Sequence, residues 1–444
     1  MTEPNVLRIG VVGAGRFAAF VTGAVHDLPD IRFTAVADPD AQRATQLAAT
    51  LRARPLTDWQ KLIRSDDVDA VVIASPPVTH AQLALAALRA GRHVFCEKPL
   101  ATEEAAAAAV GAAVTASGRV LVVDHVLRYN PILRALGRLR GHLLGPVRRL
   151  AFENDASDEH LDADHWFWDE SVSGGIFVEH GVHFFDAANA LIGAPPDAVQ
   201  GMVGRRPGTD LVDLAVATTR HPGGALATFA HGFSHAHRCE RQLMRIDFGV
   251  AEARISGWIP VSAVLELWTD DAGAALVDGL PARAGELLAV DGHRPGRRAV
   301  VEAAVQRSAG PEMARERGRE RRLPHRCRIT FDLGGEAAKQ HVYAESVRAA
   351  MADLVRCVRT GELPAAGAAE GSAAVAVAAA ARRSAHEEHT IHLGHRTAGA
   401  GSAAGPDPHQ SPARPDRGAR HEASVPAAEQ QSRPDHSPAD VGTG

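Results

Sequence analysis

Short apolar runs alternate with longer alanine-rich stretches over about residues 6–124, and few folds are compatible with this alternation. Each stretch between two runs has the length of a helix, so the alternation is typical of a parallel sheet with helices on both faces. The runs are apolar throughout, as expected for strands that are buried on both sides. They read LRIGVVG, RFTAVAD, AVVIAS, HVFCEK and VLVVD. The pattern predicts a doubly wound α/β domain over residues 1–125.

The segment GAGRFA follows the first run directly and opens the first helical stretch. Gly13 permits a tight turn, Gly15 lets the backbone approach a pyrophosphate, and Ala18 allows close packing of helix on strand. The N–H groups of the helix N-terminus can then bind phosphate. Asp38 ends the second run, at the distance where a carboxylate accepts hydrogen bonds from the adenosine ribose. These residues predict a Rossmann nucleotide-binding site.

The acid at position 38 favours NAD over NADP, because it repels a 2′-phosphate and neither Pro39 nor Asp40 supplies a cation. SPPVTH, residues 75–80, follows the third run and should border the middle or the nicotinamide end of the cofactor. The predicted cofactor contacts are Gly13, Ala14, Gly15, Arg16, Phe17, Asp38, Ser75, Pro76, His80, Glu97 and Lys98.

After residue 125 this alternation ends. A helical segment is followed by several strand-like segments, which are separated by residues typical of turns. This order predicts an α+β domain with an open-faced, mostly antiparallel sheet over residues 126–393. Gly and Pro break the pattern in residues 271–326, which we interpret as an insertion. Residues 394–444 are rich in Ala, Pro, Ser, Gly and His and contain no aromatic residue, so a disordered tail is predicted there.

Charge and cysteine content narrow the functional classes. A net charge of −5 gives no general attraction for nucleic acid or for an anionic membrane. Cys96, Cys239, Cys327 and Cys357 form no C-x-x-C pair, so neither a zinc ribbon nor a disulfide framework is indicated, and a reducing cytoplasm is expected. No segment of the sequence is apolar enough to span a bilayer.

Lysine is scarce in this chain: arginine outnumbers it 45 to 3, and the lysines are Lys61, Lys98 and Lys339. An ammonium group can release its proton when it is desolvated, whereas a guanidinium cannot at any usable pH. Lys98 ends the fourth apolar run, at the sheet edge where ligands bind, and Pro99 after it permits a rigid cis bond. Lys98 is therefore a candidate for proton chemistry beside the cofactor, with a surface lysine retained by chance as the alternative.

A second candidate is GGIFVEHGVHFFD, residues 174–186. On a helix Glu179, His183 and Asp186 share a face, while His180 points elsewhere. A carboxylate one turn from an imidazole can fix its tautomer and raise its basicity, as a general acid–base histidine requires. The alternatives are a core histidine and a metal site at His180 and His183; since H-E-x-x-H is missing, we favour no metal. A serine nucleophile is not indicated, because no G-x-S-x-G occurs.

Taken together, GAGRFA with Asp38, then CEKP, then an acid four residues before a histidine resemble the glucose-fructose oxidoreductase and inositol dehydrogenase superfamily, Gfo/Idh/MocA. The resemblance covers about residues 6–393 and includes the segments HVLRYNP and VYAESV. It implies a Rossmann domain joined to an open-faced sheet domain, and oxidation or reduction of a sugar, a cyclitol or a related polyol. Glu179 stands where the family usually has aspartate, and this is the main departure.

The resemblance also implies catalytic roles for Lys98, Glu179 and His183. His183 would take the hydroxyl proton as hydride leaves to NAD, while Lys98 bonds the same oxygen. Which of the two is the primary base stays open, because an interacting pair titrates as a unit. Two alternatives of the same fold also stay open: a glycosidase that uses tightly bound NAD, and a nucleotide-binding sensor or scaffold impaired by the acid replacement.

Expected substrate contacts are Arg128, Trp166, Glu179 and His183, with His165, Trp168 and Asp169 as further candidates. Tryptophans near a cleft stack on the apolar faces of sugars, although HWFWDE is equally consistent with a loop packed under the second sheet. The exposed face of that sheet predicts a homo-oligomer, a dimer or a tetramer, because a large apolar surface is rarely left to solvent.

Overall fold

Six parallel strands form the amino-terminal sheet: five correspond to the predicted apolar runs, and the short strand Arg54–Leu56 is additional. The computed structural model describes residues 6–158, 161–162, 164–290, 299–316 and 318–394. The strands are β1 (Leu7–Val12), β2 (Ile31–Ala37), β3 (Arg54–Leu56), β4 (Ala70–Ile73), β5 (His93–Cys96) and β6 (Leu121–Val123). The intervening helices are α1 (Arg16–Val25), α2 (Ala41–Leu51), α3 (Trp59–Ile63), α4 (Pro77–Arg89) and α5 (Glu104–Ser117).

The order of these strands creates a crevice at one edge of the sheet. Neighbours run β3-β2-β1-β4-β5-β6, so the strand order reverses beside β1, between β2 on one side and β4 on the other. In open α/β sheets ligands bind outside the carboxyl ends of the strands at such a switch point. The glycine turn after β1 and the Glu97–Lys98 pair after β5 both lie at this edge.

The second sheet is larger and mostly antiparallel, as predicted. Its strands, with a separate hairpin formed by β15 and β16, are β7 (Arg149–Asp155), β8 (Ala198–Arg205), β9 (Val212–Arg220), β10 (Leu226–Gly232), β11 (Arg241–Asp247), β12 (Ala251–Ser256), β13 (Ser262–Thr269), β14 (Val300–Arg307), β15 (Met313–Glu316), β16 (Arg319–Arg322), β17 (His325–Asp332) and β18 (Ile391–His392). The order in the sheet is β14-β17-β13-β12-β11-β7-β10-β9-β8-β18, and among these neighbours β7 and β10 pair in parallel.

Helices cover one face of this sheet. They include α6 (Pro131–Leu139), α7 (Glu170–Ser173), α8 (Val182–Ile192), α9 (Asp271–Asp278), α10 (Ala284–Leu287), α11 (Lys339–Thr360) and α12 (Ala368–Glu387). The approach of α12 to β8 is close enough that a Cβ on Gly201 would lie 2.1 Å from the Ala381 carbonyl oxygen. Only glycine at position 201 therefore lets this helix pack directly on the strand backbone.

The last two helices return to the first domain. Arg348 on α11 forms an ion pair with Asp27, and Arg382 on α12 donates to Glu103 at 2.8 Å. Residues 339–387, which the predicted boundaries assign to the second domain, thus also pack against the Rossmann sheet. The two domains therefore meet along these helices.

The opposite face of the large sheet is exposed and alternates in polarity along each strand, since successive side chains point to opposite faces. Met202, Leu214 and Val216 are exposed on β8 and β9, and Trp268 and Val300 are exposed on β13 and β14. On the neighbouring strands the same kind of surface carries ion pairs, such as Arg241 with Asp155 and Arg328 with Glu266. The exposed face is therefore mixed rather than uniformly apolar.

Two predicted segments have different outcomes. In residues 271–326, β14 pairs with β17 from Val300 to Arg307, so this segment supplies an edge strand of the large sheet. The predicted tail lies outside the described residues, except for residue 394. Within the described ranges, no helix is both long and apolar enough to cross a membrane.

Candidate active site

The glycine turn after β1 has the shape that a dinucleotide requires. Gly13 has a φ of +98°, and a Cβ there would lie 2.3 Å from the Ala74 carbonyl oxygen, so no larger residue fits. At Gly15 a Cβ would meet no atom within 4 Å, which leaves open space in front of the first turn of α1. Arg16 begins that helix, and the side chain of Phe17 is 37% exposed.

Asp38 lies beside this turn. Its carboxylate accepts hydrogen bonds from the backbone N–H groups of Ala14, at 2.8 Å, and Asp40, at 2.9 Å. The acid is thus fixed at the carboxyl end of β2, next to the open space at Gly15. The turn, the helix N-terminus and the carboxylate together fit a nicotinamide dinucleotide.

The loop after β4 forms the next wall of the crevice. The hydroxyl groups of Ser75 and Thr79 lie 2.6 Å apart, and Pro76 precedes α4. His80 was expected to touch the cofactor, but the structure buries it completely. Its ring nitrogens lie 2.7 Å from the Pro99 carbonyl oxygen and 2.8 Å from the Ser75 carbonyl oxygen. His80 therefore ties two loops together instead of facing a ligand.

Lys98 reaches from the first domain into the second. Its Nζ donates to Glu179 Oε1 at 2.5 Å and to the Glu179 carbonyl oxygen at 2.9 Å. The side chains of Lys98 and Glu179 are 13% and 14% exposed, so this ion pair is largely removed from water. The Lys98–Pro99 peptide bond is cis. The two candidate segments, remote in sequence, thus meet at one point.

Glu179 and His183 do not pair as the helical spacing predicts. Residues Phe177–Gly181 form a π-helical turn ahead of α8, so Glu179 and His183 do not belong to one regular α-helix. Glu179 bonds Lys98 instead, and Nδ1 of His183 is buried without a hydrogen-bonding partner in the part of the chain that the structure describes. Asp186, the third predicted member of this face, accepts two hydrogen bonds from Arg128, at 2.9 and 2.7 Å.

His183 is held in its neutral form. Burial lowers its pKa well below the usual value, and the positive charge of Lys98 lowers the pKa further. A neutral imidazole has one unprotonated nitrogen, so His183 presents a free acceptor nitrogen at neutral pH.

Two buried histidines, His180 and His231, lie next to each other beside this site. Only His180 was considered from the sequence. The Nδ1 atoms of His180 and His231 are 3.1 Å apart, and burial lowers the pKa of His180 to about 3. His231 lies on the inward-facing register of β10, together with Ala227 and Phe229. A polar residue on the buried face of an otherwise apolar strand was the available signal.

Aromatic rings connect the glycine turn with His183. The Tyr343 ring is 6.4 Å from Phe17 and 5.0 Å from Trp258, and Trp258 is 6.0 Å from His183. Tyr343 belongs to the VYAESV segment at the start of α11, but neither it nor Trp258 was predicted as a site residue. No local pattern brings these segments together; the packing of α11 on α1 does.

The residues predicted to contact the substrate differ in their exposure and in their hydrogen-bonding and packing partners. Arg128 is held by Asp186 and by the Ala365 carbonyl oxygen, which favours a positioning role. In the HWFWDE loop, Trp166 is 41% exposed and lies beside His165, with the ring centroids 5.3 Å apart. Trp168 packs edge-on against Phe167 and Phe233, and Asp169 caps α7. Among the aromatic residues of this loop, Trp166 is thus the one with an exposed ring.

Among the described residues, no group of three or more His, Cys, Asp or Glu side chains is arranged to hold a metal ion. His180 and His183, the pair considered for metal binding, occupy different environments. His180 contacts His231, whereas His183 lies against Trp258.

Comparison with known sequences decides the family. Residues 7–125 match the family model described as "Oxidoreductase family, NAD-binding Rossmann fold", and residues 134–248 match the "GFO/IDH/MocA C-terminal domain". Inositol 2-dehydrogenase 4 of Saccharopolyspora erythraea is 32% identical over 247 residues, which cover 53% of this chain and 70% of that protein. The chain belongs to the GFO/IDH/MocA family of oxidoreductases.

Other GFO/IDH/MocA relatives differ in their named substrates. A dTDP-3,4-didehydro-2,6-dideoxy-α-D-glucose 3-reductase of Actinomadura kijaniata is 29% identical, over 52% of this chain and 70% of the relative. The uncharacterized oxidoreductase YrbE of Bacillus subtilis is 28% identical, over 49% of this chain and 64% of its own length. The matched segments thus span roughly two thirds of these relatives.

Solved structures of the family show the same fold. An oxidoreductase from Agrobacterium radiobacter in complex with NAD+, L-tartaric acid and magnesium has a TM-score of 0.66 at 18% identity, with 87% of this chain and 98% of that chain covered. Levoglucosan dehydrogenase in complex with NADH and levoglucosan has a TM-score of 0.65 at 18% identity, with 87% and 99% covered.

Proposed function

We propose that this protein is a dehydrogenase or reductase that transfers hydride between NAD(H) and a hydroxyl or carbonyl carbon of a sugar, a cyclitol or a related polyol. The observation that carries the proposal is the meeting of Lys98, Glu179 and His183 at the edge of the sheet that holds the glycine turn. Two relatives are named for reactions of a dTDP-deoxysugar and of inositol, which favours this reaction over a glycosidase or a sensor.

Lys98 is the group that would stabilise charge on the reacting oxygen. An ammonium has three N–H donors, and Glu179 engages two of them through its carboxylate and its carbonyl oxygen. The third donor remains for a substrate oxygen, and it is aimed by the other two. A donor preorganised in a site of low exposure stabilises a developing alkoxide more strongly than one in water.

His183 is the proposed proton acceptor. It is neutral because it is buried beside a cation, so its basic nitrogen can take the hydroxyl proton during oxidation and return it during reduction. Glu179 acts through Lys98 rather than through His183, since its carboxylate bonds the ammonium group. Trp166 and Arg128 are proposed to line or support the substrate side of the cleft.

NAD is the proposed cofactor, and its nicotinamide, when bound, accepts or supplies the hydride. Gly13, Ala14, Gly15, Arg16 and Phe17 would hold it, with Asp38 on the ribose hydroxyls. The loop at Ser75 and Pro76 and the Glu97–Lys98 pair would lie along the nicotinamide half. One relative, the scyllo-inositol 2-dehydrogenase IolU of Bacillus subtilis, is named as NADP-dependent, so cofactor choice needs a direct test.

Lys98→Arg tests the proposed chemistry, because arginine keeps the positive charge but neither the compact ammonium geometry nor a titratable proton. We expect turnover with inositols and sugars, followed by NADH absorbance, to fall by at least about 100-fold, in the range of a lost acid–base group.

Lys61→Arg, on a surface helix, is the matched control and should keep wild-type turnover. Wild-type rates in Lys98→Arg would contradict the role of Lys98. Calorimetric titration of the wild-type protein with NAD and NADP checks the cofactor, and tighter binding of NADP would contradict the assignment of Asp38.

We also propose that an apolar part of the exposed sheet face, Met202, Leu214 and Val216, pairs with a second copy of this chain. Leu214→Glu would place a charge at the centre of that patch. Light scattering during gel filtration should report a dimer or a tetramer for the wild type and a smaller species for the variant, and a monomeric wild type would contradict the pairing.

A further inference from the structure

Two carboxyl groups lie side by side beneath the Lys98 loop. Glu97 directly follows β5 and Asp124 directly follows β6, and Cys96 is paired in register with Val123 at the ends of these strands. The residues are 4% and 1% exposed, and their carboxyl groups are within hydrogen-bonding reach of each other. The proposed mechanism gives Asp124 no role.

Three of the four carboxyl oxygens of Glu97 and Asp124 have no hydrogen-bond donor among the described residues. Glu97 Oε2 accepts the backbone N–H of Lys98 at 3.3 Å. Glu97 Oε1 and both oxygens of Asp124 are buried without a partner among the described residues. Two buried carboxylates in contact cannot both stay ionised at neutral pH, whereas one proton between them satisfies an oxygen on each.

The pKa shifts of Asp124 and Glu97 agree with a proton held between the two carboxyl groups. Burial raises the pKa of Asp124 to about 7, and burial followed by the charge of Asp124 raises the pKa of Glu97 well above its usual range. The positive charge of Lys98 opposes both shifts. The titratable groups on the surrounding elements are Cys96 on β5, Lys98 after it, His80 on α4, His125 after β6, Glu179 in the π-helical turn, Tyr343 on α11 and Glu370 on α12.

Two of these neighbours cannot take the proton in place of the pair. Burial, and then the charges of Glu97 and Asp124, raise the pKa of the Cys96 thiol and of the Tyr343 hydroxyl. Both groups therefore stay neutral near pH 7. Lys98 is the cation that the pair and Glu179 have in common, because its charge acts on Glu97 and Asp124 while its ammonium group bonds Glu179.

We propose that Glu97 and Asp124 share a single proton and act as a charge-setting pair for Lys98. As the pH rises through about 7, a second proton leaves the pair, whose charge changes from 0 to −1 while one proton stays shared, and the pair then attracts the ammonium group of Lys98. When the second proton returns, the pair is neutral and that attraction is lost. Glu97 and Asp124 are positioning residues in this scheme, because they act on the reaction through Lys98.

The test uses the scarcity of lysine. Protein labelled with ¹³C at the lysine Cε atoms gives three resonances, and Lys98→Arg and Lys61→Arg assign them. In the cofactor-free wild type, we expect the Lys98 resonance to shift with a midpoint near the Asp124 pKa of about 7. Lys61 and Lys339, both remote from the pair, should show no such midpoint.

Asp124→Asn and Glu97→Gln each remove one titrating group while keeping a polar side chain of similar size. Both should abolish the midpoint of the Lys98 resonance near neutral pH. Asp69→Asn is the matched control, because Asp69 lies at the opposite edge of the same sheet in an ion pair with Arg8 and should leave the midpoint unchanged. A midpoint that is missing from the wild type, or that survives in both pair variants, would overturn the proposal.

If neither pair variant folds, infrared spectra of the wild type still show whether Glu97 and Asp124 share a proton. A carboxylic acid carbonyl band should titrate with the same midpoint as the Lys98 resonance, and its absence at neutral pH would overturn the shared proton. These measurements need no substrate, so they stand apart from the proposed function. The consequence for turnover does rest on that function: Asp124→Asn should flatten the pH profile of kcat/KM near pH 7 and leave KM unchanged.

Discussion

At the scale of single residues, the site depends on which carboxylate pairs with which base. Glu179 bonds Lys98, and His183 is left neutral and buried. A glutamate in this position reaches the ammonium group at 2.5 Å, although the family usually has the shorter aspartate. The longer side chain is therefore long enough to form the ion pair with Lys98.

Glu179→Asp should weaken the site, because shortening the side chain by one methylene group withdraws the carboxylate from Lys98. A charged hydrogen bond contributes about 1.5–3 kcal/mol, so we expect turnover to fall by roughly 10- to 100-fold. Steady-state kinetics with the best polyol substrate measures this, and NAD affinity should be unchanged. The matched control is Glu103→Asp at a surface ion pair with Arg382, and equal losses in both variants would contradict the specific role.

At the scale of secondary-structure elements, the turn between β1 and α1 and the π-helical turn before α8 determine where chemistry is possible. The first brings Gly13 against the end of β4, and the second turns Glu179 toward β5. Both are departures from regular geometry, and both lie at the edge where the two domains meet.

Gly13→Ala should abolish NAD binding and destabilise the protein. The left-handed φ of +98° and the close contact with the Ala74 carbonyl oxygen both oppose a side chain. We expect the free energy of unfolding to fall by about 2 kcal/mol or more, from backbone strain alone. Chemical denaturation and calorimetric titration with NAD measure the two effects.

Gly23→Ala, in the middle of α1, is the matched control. A Cβ there meets no atom within 4 Å, so this variant should be more stable by up to about 1 kcal/mol and should bind NAD normally. Normal NAD affinity in Gly13→Ala would show that the turn does not approach the cofactor.

At the scale of the whole molecule, the interior holds an unusual number of neutral histidines. Burial lowers the pKa of seven of them, with that of His93 lowered to about 4. They are His80, His93, His125, His180, His183, His221 and His231. Unfolding would restore the ordinary pKa near 6.5, so below that pH the unfolded chain binds more protons than the native protein.

Stability should therefore fall as the pH drops from about 6.5 toward 4, by up to about 1.4 kcal/mol per pH unit for each histidine involved. The Glu97–Asp124 pair acts in the opposite sense, because its raised pKa contributes stability at low pH that is lost as the pH rises toward 7. The loss of stability at low pH from seven histidines is expected to exceed the opposite contribution of the one carboxyl pair. Thermal unfolding should give a lower Tm at pH 5.5 than at pH 7.5, and an equal or higher Tm at pH 5.5 would contradict this balance.

Much of this protein follows from local pattern. The apolar runs predict the parallel sheet, and the spacing of Gly13, Gly15 and Asp38 predicts the nucleotide turn, because a strand, a turn and a helix N-terminus are adjacent along the chain. The scarcity of lysine also singled out Lys98. Helical spacing failed at Glu179 and His183, since the pattern assumes an α-helix and the chain forms a wider turn.

By itself, then, the sequence determined the parallel sheet and the nucleotide turn and singled out Lys98 as the candidate lysine, since each depends on neighbours within a few tens of residues. Tertiary structure alone decided that Lys98 bonds Glu179, that His231 lies beside His180, and that Glu97 meets Asp124. These contacts join residues from 27 to 81 positions apart, and strand order, helix return and burial determine which of them form.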